Sequence, residues 1–237
     1  MTGGNDRYGS GMPQISPLAH IESTARIAAD VVIEAGAWIG PDVELQRGAV
    51  VQSGAAVGRG WAAGRAGATV VGAGCIIGSG AVIYHDVTLA DGVKIWHNAV
   101  IRHHVEIGRG TSIGSLSCIE HHTTIGAECS VHGLCQIGDY STVGDAVFIG
   151  PGFLSVSDLR LDYRRPQLHE TYRGVTIKRG ARVGGRVLAY PGSVVGVETV
   201  VGAGSAIRGE LLDGVVYLGD PIRAVRKVRP DERWPEA

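Results

Sequence analysis

Phenylalanine and methionine each occur only twice in this chain, and aromatic residues make up 5% of its 237 positions. So few large rings fit one elongated domain better than two globular cores. Charge of either sign is nearly cancelled, with 22 Lys and Arg against 23 Asp and Glu. A net charge of −1 argues against a dedicated nucleic-acid surface. The four cysteines have no zinc-type spacing. Neither a signal peptide nor a long apolar run is present, so no membrane span and a cytoplasmic location are the expectations. Glycine, by contrast, is plentiful at 37 residues. The hydrophobic pattern continues through it, which disorder would not allow.

That pattern has a period of six. Ile21, Ile27, Ile33, Ile39, Leu45, Val51 and Val57 share one phase, and a second runs from Val71 through Ile77 and Ile83 to Ile149. Ile177, Val183, Val195, Val201 and Ile207 resume the beat, with Ala189 filling one slot. Four places after each aliphatic residue stands a small or β-branched one, such as Ala25, Cys75, Thr111 or Ser117. Two inward positions that alternate with an outward one describe a short strand. The two places between strands must turn the chain, and Gly is favoured there because positive φ costs it nothing. Proline is scarce inside the strands, where ladder donors are needed. A helix would want a period of 3.6, so the beat predicts an all-β solenoid of parallel strands. Three hexads close one coil of a triangular prism, and each coil advances the chain by roughly 4.8 Å. Cys75, Cys129 and Cys135 fall on inward positions, where they pack as small hydrophobes.

The beat divides the chain. Residues 1–17 are polar and Gly-rich and read as a flexible leader. Residues 18–210 read as the solenoid, with two interruptions. One, between Val57 and Val71, adds two residues to the frame and reads as a small bulge or short loop. The other, 157–174, has no hexad beat and is rich in charge and aromatics. A long loop leaving a rigid scaffold is commonly functional. Residues 211–237, with basic Arg223, Arg226, Lys227 and Arg229, read as a cap over the open end.

Folding the sequence at three hexads per coil aligns its histidines. His85, His103 and His121 form one column, continued by Asp139 and Ser157. The next column reads Asp86, His104, His122, Tyr140, Asp158, and the flanking one holds Tyr84, Arg102 and Glu120. Five of nine histidines thus share one corner. A polar turn surface is the plain reading of any single one. As a cluster they suit a general base, because neighbouring imidazoles disfavour each other's charged forms and a base must be neutral. Metal binding and contact with a neighbouring subunit are the competing uses.

The hexads resemble the left-handed parallel β-helix of the hexapeptide-repeat acyltransferases, whose handedness departs from the usual crossover rule. Residues 118–126, Cys-Ile-Glu-His-His-Thr-Thr-Ile-Gly, resemble the motif in which the family's catalytic histidine precedes an acidic residue. His121 matches the base. His122 stands where the acidic partner is expected, and Glu120 or Asp139 can take that role. Residues 143–151 resemble the run before the active-site loop of nucleotide-linked amino-sugar N-acetyltransferases, with Asp158 matching an Asp of that loop. Gly152 and Ser157 replace residues usually Asn there. Residues 174–184 and 200–205 resemble that family's coenzyme A end. Residues 218–223 resemble its closing Gly-Asn-Pro-Ala motif, with Asp220 for Asn and Ile222 for Ala.

The resemblance implies acyl transfer, from acetyl-CoA as co-substrate and without a metal, to the amine of a nucleotide-linked amino sugar. His121, Glu120, His122 and Asp139 are the implied catalytic set. His103, His104, Asp158 and Tyr140 are the implied substrate contacts. Lys178, Arg179, Gly184, Gly202, Gly204, Arg208 and Arg223 are the implied coenzyme contacts, with Arg226 a further phosphate candidate. A homotrimer with sites between subunits is implied as well.

Two other classes compete. Residues 95–102, Ile-Trp-His-Asn-Ala-Val-Ile-Arg, resemble the γ-type carbonic anhydrases, which place three histidines on a shared zinc. That family's Arg-Gly-Asp is Arg102-His103-His104 here, and Glu120, Gly133 and Gly138 stand where its zinc histidines belong. A solenoid that only presents a surface is the third class, and it predicts no binding of acetyl-CoA.

Overall fold

The computed structural model describes residues 11–60, 67–158, 160, 164, 172–229 and 232–233. Among these, short strands, mostly of two residues, assemble into three sheets of 12, 10 and 10 strands. Successive strands go to successive sheets, so each third strand pairs with its predecessor. Lys94–Ile95 lies parallel between Ile76–Ile77 and Ser112–Ile113 in the first sheet. Val100–Ile101 lies between Val82–Tyr84 and Cys118–Ile119 in the second. Glu106–Ile107 lies between Thr88–Leu89 and Thr124–Ile125 in the third. Paired residues are three hexads apart, as the beat requires. No α-helix occurs among the described residues, and no helix is long and apolar enough to cross a membrane.

The beat residues form the core. Ile77, Ile83, Ile95, Ile101, Ile119 and Ile137 have no solvent exposure, and burying each such side chain contributes about 1.5–3 kcal/mol. The small inward position accepts polar residues because each finds a partner. The Thr111 hydroxyl donates to the Gly126 carbonyl at 2.7 Å and accepts from the Cys129 amide at 2.9 Å. The Ser117 hydroxyl serves His132 and Cys135 in the same way. Cys75, Cys129 and Cys135 occupy equivalent buried positions as free thiols and donate to carbonyls of the next coil.

The interruptions are larger than the frame alone suggests. Leu45 pairs with Val71 and Val57 with Ile83, each partner lying eight places beyond the three hexads of a regular coil. The first interruption therefore inserts eight residues, not two. A frame count reads only the remainder after whole hexads, and eight leaves two. Trp61 and its neighbours to 66 lie outside the described residues. At the second, Val143 pairs with Ile177, sixteen places beyond a regular coil, so a segment of that length leaves the solenoid. Much of that loop (159, 161–163 and 165–171) also lies outside the described residues.

The ends depart from the expected boundaries too. Gln14–Ile15 already pairs with Val32–Ile33, within the segment read as a leader. At the other end, Glu210–Leu211 and Val215–Leu218 continue the parallel ladders. Arg223–Lys227 then turns back antiparallel on Val215–Leu218 and forms the last strand of the first sheet.

Candidate active site at the histidine corner

The corner between the second and third sheets carries the histidines. At each coil the aliphatic residue turns inward, and the next three positions lie at or near the surface. The second turn residue needs a left-handed backbone, and Asp86, His104, His122 and Tyr140 adopt φ of 59°, 57°, 56° and 58°. For an L-residue this conformation costs roughly 1–2 kcal/mol. Other corners accept it with Gly, as at Gly92 and Gly110, but also with Leu116 and Glu128. Backbone strain therefore does not single out this corner. Its side chains do.

The rings stack at about the coil spacing. Ring centres of His85 and His103 are 5.5 Å apart, those of His103 and His121 5.1 Å, and those of His104 and His122 4.6 Å. Tyr140 extends the second column, 5.1 Å from His122 with the rings 3° from parallel. Within a coil the two imidazoles stand edge to face, at 79° for His103 and His104 and 83° for His121 and His122. Face-to-face stacking keeps the ring nitrogens from converging on one point. Among the described residues no group of three His, Cys, Asp or Glu is arranged to hold a metal ion.

Burial pulls the His103 ring below its ordinary protonation range, and the neighbouring His121, His104 and His85, with Arg102, add to the effect. His122 is lowered by burial and then by His104 and His121, against an opposing pull from Asp139.

Asp139 caps the first column. Its Oδ1 lies 3.2 Å from Nε2 of His121, and its Oδ2 accepts the Ser157 hydroxyl at 3.1 Å. The Asp139–His121 approach is close but not aligned as a hydrogen bond, and Nδ1 of His121 is buried without a partner. Ser157 is itself fixed, because its carbonyl accepts the Arg173 amide at 3.0 Å across the root of the loop.

Glu120 points elsewhere. Its Oε2 is 3.8 Å from Nε of Arg102, and its Oε1 accepts the Cys118 thiol at 3.4 Å. Arg102 in turn lies over the Tyr84 ring at 4.9 Å. Of the two acidic candidates the sequence offered, Asp139 is the one placed against His121. Burial, with Glu120 next, pushes the Cys118 thiol up to about 12.

The second column borders a groove of about 400 Å³ on its third-sheet side, lined by Ala68, Asp86, Thr88, His104, Glu106, His122 and Thr124. Asp86 Oδ2 lies 3.2 Å from Nδ1 of His104. By sequence, Thr88, Glu106 and Thr124 read as ordinary outward strand positions, although their recurrence at every third hexad beside the histidine columns is a usable signal. Asp158 turns back on its own segment, where its Oδ1 accepts the Arg160 amide at 2.9 Å.

The coenzyme candidates do not converge within one chain. Gly184, Gly202 and Gly204 lie on the corner between the first and second sheets, and their amides already donate to Val201, Tyr217 and Gly185. Those three N–H groups are therefore not free donors for a bound amide. Lys178 and Arg179 lie on the corner between the third and first sheets, with Lys178 3.7 Å from Glu210 and 4.0 Å from Asp213. Arg208 shares the histidine corner several coils on and stacks over Tyr190 at 3.4 Å. Arg223 is exposed in the final strand, and the neighbouring Arg226 pairs with Glu232.

The family model for "Bacterial transferase hexapeptide (six repeats)" matches residues 68–103 and 86–121, which include His85, His103, His104 and His121. Over those residues the chain is similar to bacterial-transferase hexapeptide repeats. The galactoside O-acetyltransferase of Escherichia coli K12 is 31% identical to the chain over 92 residues, which is 38% of this chain and 45% of that enzyme. The chain thus matches less than half the length of that relative. A solved structure of the Francisella novicida UDP-N-acetylglucosamine acyltransferase covers 92% of the chain and 75% of its own, with a TM-score of 0.50 and 14% identity. That likeness concerns the fold of the hexapeptide solenoid.

Proposed function

We propose that the protein transfers an acyl group, with acetyl-CoA as donor, to the amine of a nucleotide-linked amino sugar. The observation that carries this reading is the pairing of His121 with Asp139 on a partly exposed corner of hexapeptide coils. Nε2 is the nitrogen of His121 beside the carboxylate, 3.2 Å from Oδ1 of Asp139, so a proton that it takes up faces a negative charge. In the proposed step the acceptor nitrogen attacks the thioester carbonyl carbon as Nε2 takes its proton. The new C–N bond forms, the C–S bond breaks, and the proton passes from His121 to the departing thiolate. Asp139 stabilises the imidazolium in between, and Ser157 holds Asp139. A positioned base of this kind supplies roughly 10²–10⁴-fold in rate. The proposed assembly is a homotrimer with sites between subunits, which would allow coenzyme contacts to come from more than one chain.

Acyl transfer to a sugar hydroxyl is the second reading, favoured by the name of the galactoside O-acetyltransferase relative. Free thiol release from acetyl-CoA tests both. It is to be followed with a panel of nucleotide-linked amino sugars and with a galactoside. Release with an amino sugar, reduced roughly 10²–10⁴-fold in His121→Ala, is the expected result. Release only with the galactoside selects the second reading. No release with any acceptor, together with no thermal shift on adding CoA, rejects acyl transfer.

A further inference from the structure

We propose that the groove beside the second histidine column is a subsite for the ammonium-bearing ring of the acceptor, with Glu106 and Asp86 as the groups that select a cationic amine. The proposal rests on the acyl-transfer reading for its place in catalysis, but on the lining of the groove for its chemistry. A space of about 400 Å³ suits one hexose ring, at the small end of ligand sites. Its walls supply two carboxylates, two imidazoles and the hydroxyls of Thr88 and Thr124, and no Lys or Arg. That set donates and accepts hydrogen bonds to sugar hydroxyls and favours a positive charge. It disfavours phosphate, so the nucleotide end of the acceptor must leave the groove toward solvent.

The imidazoles do not cancel this preference. His122 is held below its ordinary range by burial and by His104 and His121, so it adds no cationic charge at neutral pH. The other imidazole, His104, faces the Asp86 carboxylate at 3.2 Å. Glu106 is exposed on its strand and forms no ion pair among the described residues. His122 lines the groove and its ring centre is 5.3 Å from that of His121, so a ring seated there lies one imidazole away from the proposed base. The bound ammonium first gives one proton to solvent, the neutral amine then attacks, and acylation leaves a neutral amide. The product therefore loses the charge that Glu106 and Asp86 recognise, and it leaves more readily than the substrate binds.

The test is saturation-transfer NMR and calorimetry on the full chain with three probes: glucosamine, N-acetylglucosamine and glucosamine 6-phosphate. Glucosamine is expected to bind at least tenfold more tightly than either of the others. Glu106→Gln is expected to remove most of that preference, while His121→Ala keeps it. Because Glu106 is on the surface, its variant is expected to fold, and an unchanged thermal melt checks this. Equal binding of glucosamine and N-acetylglucosamine, a preference that survives in Glu106→Gln, or no saturation transfer to glucosamine overturns the proposal. Thiol release without amine preference sinks the subsite and leaves acyl transfer standing. Amine-selective binding without thiol release from any acceptor does the reverse.

Discussion

Asp139 joins His121 to Ser157: one carboxylate oxygen stands 3.2 Å from Nε2 of the imidazole and the other takes the serine hydroxyl at 3.1 Å. The proposed base is thereby tied to the root of the long loop. Asp139→Asn keeps the shape and removes the charge that stabilises the imidazolium. Turnover is expected to fall by at least roughly tenfold, short of the roughly 10²–10⁴-fold loss of a missing base. KM for the acceptor is expected to stay within a factor of roughly two or three. Ser157→Ala, which frees the carboxylate to turn, is expected to give a smaller loss of the same kind. A KM effect without a turnover effect in Asp139→Asn would remove Asp139 from the proton-transfer step.

The histidine stack makes stability depend on pH. His103 and His122 are lowered from an ordinary value of 6.5, chiefly by burial. Below that value the unfolded chain binds protons that the folded stack resists, so stability is full above about pH 6.5 and is lost as pH falls through it. Urea midpoints measured from about pH 8 down to about pH 5 are expected to decline, and His103→Gln is expected to flatten part of that decline. Parallel wild-type and variant curves would show that His103 is not a contributor.

Gly174 returns the chain from the loop to the solenoid. A Cβ built there overlaps the backbone carbonyl of Tyr140, the residue that extends the second histidine column. Backbone cannot move aside as a flexible side chain can. Gly174→Ala is therefore expected to destabilise by about 1–3 kcal/mol, as overpacking does, read as a lower urea midpoint. It is also expected to disturb the Tyr140–His122 stack, which a shift of the Tyr140 ring resonances would report. A midpoint within error of wild type would mean that the loop root accommodates the methyl group.

The hexad beat carried most of the fold, because the beat residues that pair in register are also buried, save Ile21 and Ile27 near the start of the solenoid, which are partly so. The histidine corner followed from the same count, since three hexads return a side chain to its own corner. Beyond that, three things were not legible. The insertion near Trp61 looked like two residues because a periodic pattern hides whole hexads. The choice between Glu120 and Asp139 turned on side-chain direction, which Arg102 and Cys118 settle for Glu120. The coenzyme candidates lie past an insertion of sixteen residues, and after it a count no longer says which corner a residue occupies. Among themselves Lys178, Gly202 and Arg208 stand four hexads and then one hexad apart, so the resumed beat does put them on three different corners.

Cys75 offers a test of the core. Its thiol has no solvent exposure, donates to the Ala90 carbonyl at 3.1 Å and is pushed up to about 11, first by burial and further by Asp91. The thiolate is the reactive form, so Cys75 is expected to resist disulfide reagents at neutral pH until the chain unfolds. The same shift sets a sign for stability. The unfolded thiol ionises near 9.0 while the folded one stays protonated, so stability is full below 9 and is lost as pH rises toward 11. Cys75→Ala removes this contribution, and its urea midpoint is expected to fall less than that of wild type over that window. The substitution leaves only a small void, because alanine fills the same inward position at Ala81 and Ala99. Rapid labelling of Cys75 in the folded protein would show that the coil around it opens.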